Sequence, residues 1–129
     1  MGYEVTYGHG HLCVSMTGTV GHTGGEQCNL LNPEGEHVII TACTLYVETS
    51  STGAANLNVG IGTTAQHDQT ELVSAKAING VTGSACNGFA NGDAADALVI
   101  WGEDEYLVAN ASADCTGFVG KLYVEYVHV

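Results

Sequence analysis

The sequence predicts an all-β protein, a single antiparallel β-sandwich of jelly-roll type. Apolar residues seldom recur at three-four spacing, so no amphipathic helix stands out among the 129 residues. Short runs rich in Val and Thr alternate apolar with polar positions, as half-buried strands do. Turn-forming clusters, drawn from 18 glycines and the single proline Pro33, punctuate the chain. They fall roughly every eight to twelve residues, the rhythm of a sandwich rather than of β-α-β units. A chain of this length buries about two-thirds of its unfolded surface as one domain, so it needs no metal to fold.

Residues 1–10 read as an N-terminal strand or arm, because Tyr3, Val5 and Tyr7 alternate with Glu4 and Thr6. As an added strand it would pair with a partner protein or a sister subunit. Residues 11–129 form the sandwich. In 11–20, Leu12, Val14 and Met16 take one face and Cys13, Ser15 and Thr17 the other. Gly24-Gly25 and Asn32-Pro33-Glu34-Gly35 break the chain before 37–50, the most apolar run. That run is expected to lie centrally with both faces covered.

Further on, 56–64 sets Leu57, Val59 and Ile61 inward against Asn58, Gly60 and Gly62, and 70–78 is read as a strand. Residues 79–95 are expected to form a long loop anchored by Phe89. The runs "DALVIWG" and "EYLVANAS" flank the acidic turn "GEDE" and read as a hairpin. The last run, 118–129, alternates Lys121, Tyr123, Glu125 and Val127 with Leu122, Val124 and Tyr126, tying the C-terminus into a sheet.

Charge narrows the function. Fourteen acids face two bases, Lys76 and Lys121, for a net charge of −12. Each phosphate or anionic lipid contact needs its own Lys or Arg, so nucleic acid and anionic membrane are excluded as partners. No apolar run reaches the roughly 18 residues of a membrane span, and neither a secretory signal nor an anchor is read at the N-terminus. "MGYEVT" fits the loose myristoylation pattern, against which stand bulky Tyr3 and the lack of a second membrane signal. The five cysteines, Cys13, Cys28, Cys43, Cys86 and Cys115, show no C-x-x-C spacing and read as small buried hydrophobes.

One stretch invites a metal reading. In "GHGHLC" the side chains of His9, His11 and Cys13 share a face if the backbone is extended. A His-x-His pair on a jelly-roll strand occurs in cupin-type metal enzymes, which add a carboxylate a few residues on and a later histidine. Here the next carboxylate is Glu26, beyond a turn, and His22, His37 and His67 lie in or beside loops. The expectation is an outward polar row, with His9, His11 and Cys13 as weak metal candidates and no cofactor.

Catalytic patterns are equally sparse. No serine or cysteine sits in a G-x-S-x-G elbow, and no cysteine has a neighbouring cation. Asp93, Asp96, Glu103, Asp104 and Glu105 lack calcium-loop spacing and read as solvated turn charges. Tyr3, Tyr7, Trp101, Tyr106, Tyr123 and Tyr126 would suffice for a carbohydrate-binding face, although Tyr123 and Tyr126 must point oppositely. "NAS" at Asn110 is a formal glycosylation sequon that requires a secretory route.

The segments "NVGIGTTAQHDQTELVSA" and "EYLVANASADCTGFVGKLYVEYV" resemble small virion proteins of tailed bacteriophages, in particular jelly-roll capsid decoration, or cement, proteins. The resemblance covers mainly residues 56–129. It implies a non-enzymatic protein on the virion surface that binds the outside of an assembled head and bridges major capsid protein subunits, often as a homotrimer. In that setting Tyr3, Val5 and Tyr7 are the expected partner-binding residues. The alternatives are a carbohydrate-binding or tail-fibre sandwich module, and a cupin-like metal protein using His9 and His11.

Overall fold

The computed structural model describes residues 2–18, 25–63, 72–87 and 99–129. Among the described residues, ten strands run β1 (Gly2–Gly8), β2 (His11–Thr17), β3 (Gly25–Leu31), β4 (Val38–Thr49), β5 (Asn56–Gly62), β6 (Val73–Ala77), β7 (Ser84–Asn87), β8 (Val99–Trp101), β9 (Tyr106–Ala111) and β10 (Val119–His128). Among the described residues there is no helix. The protein is an antiparallel β-sandwich. A six-stranded sheet has the order β1-β2-β10-β4-β7, with β8 also paired to β4, and a four-stranded sheet has the order β3-β9-β5-β6.

One continuous core joins the sheets. The six-stranded sheet contributes Leu12, Val14, Met16, Leu45, Leu122 and Val124, and the four-stranded sheet contributes Leu57, Val59, Leu107 and Ala109. In each case these are alternate positions of a strand, so the period of two read from sequence becomes the inner face of a sheet. Cys28, Cys43 and Cys115 are core thiols at 0% exposure, while Cys13 is half-buried on the outer side.

The expectation that 37–50 is covered on both faces is corrected, and a bulge explains the misreading. Across from β10, Glu125 pairs Ala42 but Tyr126 pairs Ile40, leaving Thr41 as the extra residue, its hydroxyl donating to the Glu125 carbonyl at 3.2 Å. The extra residue shifts the phase of alternation. Val38 and Ile40 point inward before it, and Cys43, Leu45 and Val47 after it. Two half-strands of opposite phase look, in sequence, like a strand apolar on both sides.

Nor do the runs around "GEDE" form a hairpin. β8 pairs with β4 in one sheet, whereas β9 pairs with β3 and β5 in the other. The turn between them is a corner: Glu105 N–H donates to the Gly102 carbonyl, and the Glu105 carboxylate accepts from Gly102 N–H at 2.7 Å. Trp101 Nε1 closes it by donating to the Glu105 carbonyl at 2.8 Å. Crossing here lets Trp101 and Leu107 reach the same core from opposite layers, which a hairpin within one sheet would not require.

The expected loop 79–95 also contains β7, which occupies the edge of β4 beyond β8. Phe89 lies outside the described residues. The strand read in 70–78 is present as β6, and the chain ends in β10, as expected.

Candidate functional site

The residues of "GHGHLC" are divided by a turn. Gly8 pairs with His11, so His9 and Gly10 form the two-residue link between β1 and β2, and Gly10 adopts φ +76°, a backbone that suits glycine. The Gly10 carbonyl accepts from Tyr126 N–H at 2.9 Å, pinning the turn to β10. His9 is thereby exposed in the turn and leaves the face shared by His11 and Cys13. The sequence reading of three side chains on one face is corrected, because it assumed extended backbone through Gly10.

His11 and Cys13 remain on the outer face of the six-stranded sheet, in register with β10. His11 pairs Glu125, and Cys13 pairs Tyr123 on one side and Thr6 on the other. The imidazole of His11 lies over Gly8, where an added Cβ would stand 2.0 Å from its Cε1. Glycine is therefore required at 8 for the ring to lie down across the strand pair. Between β1, β2 and β10 lies a cavity of about 430 Å³ lined by Thr6, His11, Cys13, Tyr123 and Glu125 with the backbone neighbours Leu12 and Val124.

This depression offers a phenol, an imidazole, a carboxylate and a thiol around mostly apolar walls. Such a surface can stack and hydrogen-bond a ligand. Among the described residues, no group of three or more His, Cys, Asp or Glu side chains is arranged to hold a metal ion. His37 is exposed at the start of β4, while His22, His67 and the Glu26 side chain lie outside the described set. Of the acidic residues around "GEDE", Glu105 is spent on the corner and Glu103 and Asp104 are exposed; Asp93 and Asp96 are not among the described residues.

Farther along the same face an apolar row crosses the sheet. Val127 pairs Ile39, which pairs Ile100, and Val127 and Ile100 are 50% and 55% exposed. Tyr123, 44% exposed, is four residues away along β10. The aromatic residues are otherwise not a common face. Trp101 is wholly buried and meets Tyr126 edge-on at 6.4 Å, while Tyr3 is half-buried and donates from its hydroxyl to the Asn29 carbonyl at 2.9 Å. Tyr3 and Val5 pack on the core from β1, and Tyr7, on the same side, is 55% exposed.

A second polar group ties the Asn32–Glu36 turn to the C-terminal strand. Buried Asn32 donates through Nδ2 to the carbonyls of Glu36, Trp101 and Gly102, and its Oδ1 accepts from Glu34 N–H. Tyr126 donates to Glu34 Oε2 at 2.6 Å, and His128 lies against both Glu34 and Glu36. Burial first, and then the Glu34 carboxylate, push the Tyr126 phenol well above its ordinary value. Asn110, the residue of the sequon, is 1% exposed within β9 and is closed to a glycan.

Sequence reasoning placed His11 and Cys13 in one row but named Tyr123 apart from them, and it passed over Thr6 and Glu125 as site residues. The alternation of 118–129 already set Tyr123 and Glu125 on one face. What no local signal supplied was that β10 lies beside β2, more than 100 positions earlier in the chain. No family model, curated protein or solved structure matches the chain.

Proposed function

We propose that the protein is a non-enzymatic virion structural protein, a decoration protein that binds the outer surface of an assembled phage head and bridges major capsid protein subunits. The observation that carries this reading is the apolar row Val127, Ile39 and Ile100 on the outer face of the six-stranded sheet, exposed at Val127 and Ile100 and half-buried at Ile39. Contiguous apolar surface of this kind marks a protein contact. The net charge of −12 favours a partner with a basic rim.

The strand orders support the jelly-roll part of the reading. Strands β2-β10-β4-β7 face β3-β9-β5-β6, and successive strands from β2 to β10 change sheet except at β5 to β6 and β7 to β8. That alternation is what two nested Greek keys produce. Because a capsid presents many copies of its site, a modest interface per copy suffices through avidity. The trimer implied by the resemblance is not required.

The test is co-sedimentation of purified protein with assembled, undecorated heads. Ile100→Asp and Val127→Asp are expected to weaken binding at least tenfold, whereas Ala77→Asp, exposed on β6 of the opposite sheet, leaves it unchanged. Failure of the wild-type protein to sediment with any head from its source rejects the proposal. A second reading, a carbohydrate-binding module, is favoured by Tyr123 at the wall of the 430 Å³ cavity. It predicts glycan-array binding that Tyr123→Ala abolishes.

A further inference from the structure

Among the described residues, β1 ends the order of the six-stranded sheet, with β2 on one side and no strand on the other. Its seven residues, Gly2-Tyr3-Glu4-Val5-Thr6-Tyr7-Gly8, have the same side-chain classes read from either end, with Val5 at the centre. Glycine stands at both ends, tyrosine inside each glycine, and a polar residue on each side of the valine. Natural sheets guard exposed edges with Lys, Pro, bulges or inward charges. β1 has no Lys, Pro, bulge or inward charge, and its single guarding charge, Glu4, points outward with Thr6.

We propose that β1 is the self-association edge of this protein, pairing antiparallel with β1 of a second copy about a two-fold axis through Val5. In that register Val5 faces Val5 of the second copy, Tyr3 faces Tyr7, Glu4 faces Thr6 and Gly2 faces Gly8. All seven residues overlap, and directly opposed residues share a face, so the two six-stranded sheets become continuous. Tyr7, 55% exposed in one copy, gains Tyr3 of the other as a cross-strand aromatic neighbour. Moving the axis to Glu4 would oppose two carboxylates, so charge selects the register as well as overlap. The contact is isologous and closes at two copies.

This pairing is independent of capsid binding, since it needs only the purified chain. A seven-residue strand pair is small beside a standard interface, and two chains of charge −12 repel at long range, so the dimer is weak and strengthened by salt. Sedimentation velocity of the full chain reads it directly. The wild-type mass should move from one copy toward two as salt rises from about 0.01 M to about 1 M, where the screening length falls from about 30 Å to about 3 Å.

The register is tested by charge at exposed positions that leave the fold intact. Thr6→Lys sets a lysine opposite Glu4 twice and should tighten the dimer about fivefold at fixed salt; Thr6→Glu should loosen it by about the same factor. The double variant Glu4→Lys with Thr6→Glu restores opposite charges and should recover at least wild-type affinity. Ala77→Lys, exposed on β6 at the far edge of the other sheet, makes the same charge change away from the contact and should shift affinity less than about twofold. A wild-type protein that stays monomeric at every salt, a three-copy mass, or equal effects of Thr6→Lys and Ala77→Lys would overturn the proposal.

Discussion

The two sheets present opposite kinds of outer face. On the six-stranded sheet, the outward residues of β10 include Tyr123 and Val127 at 44% and 50% exposure, beside a cavity and an apolar row. On the four-stranded sheet, the outward residues of β9 include Val108 and Asn110 at 0% and 1% exposure. Both polar atoms of the Asn110 side chain are buried and, among the described residues, have no hydrogen-bond partner. One outer face is therefore open for contact, while the other holds a buried amide that lowers stability. An outward phase along a strand decides which face a residue takes but not whether that face meets water.

The most damaging substitution should fall where the sheets meet. Trp101→Ala removes the largest wholly buried side chain together with its hydrogen bond across the corner, and is expected to cost about 3 to 5 kcal/mol in urea denaturation. Asn32→Ala should follow. It leaves the buried carbonyls of Trp101 and Gly102, and the Glu36 carbonyl, without their donor, at a cost of about 2 to 3 kcal/mol by the same measurement.

The Tyr126 hydroxyl comes next. Tyr126→Phe loses a hydrogen bond to a carboxylate and should cost about 1.5 kcal/mol at neutral pH. Because the folded state raises the phenol's pKa, the unfolded chain ionises first, near its ordinary value of about 10. This contribution to stability is full below about pH 10 and is lost as pH rises through the folded value. Stability against pH for the wild type and Tyr126→Phe should thus converge in alkali; parallel curves would refute the linkage.

Asn110→Val should have the smallest effect and the opposite sign. It replaces an unpaired buried amide in a central strand by a β-branched side chain of similar size, and should raise stability by about 1 kcal/mol. Loss of stability on that change would mean that the amide has a partner, and the contrast between the two outer faces would then disappear.

Much of the core was legible from the chain alone. Leu12, Val14 and Met16, read as the face opposite an outward polar row, and Leu57, Val59 and Ile61, read as inward, are all buried. The site was legible only in pieces: His11, Cys13 and Tyr123 were named, yet the turn at Gly10 removed His9, and Glu125 joined them through pairing of β2 with β10. Two errors share a cause. The bulge at Thr41 and the corner at Gly102–Glu105 both change the direction of following side chains, and each depends on which distant strand lies alongside.

The sequence by itself determined the class of the protein. Period-two alternation, turn chemistry and a nearly base-free composition define local conformation and surface charge, and these act over a few residues or through the summed field. Tertiary structure alone decided which strands are neighbours, and so which outward residues form a site. Hydrogen bonding between strands is satisfied by any well-matched edge, so β10 finds β2 and β4 only through the collective packing of side chains from both sheets.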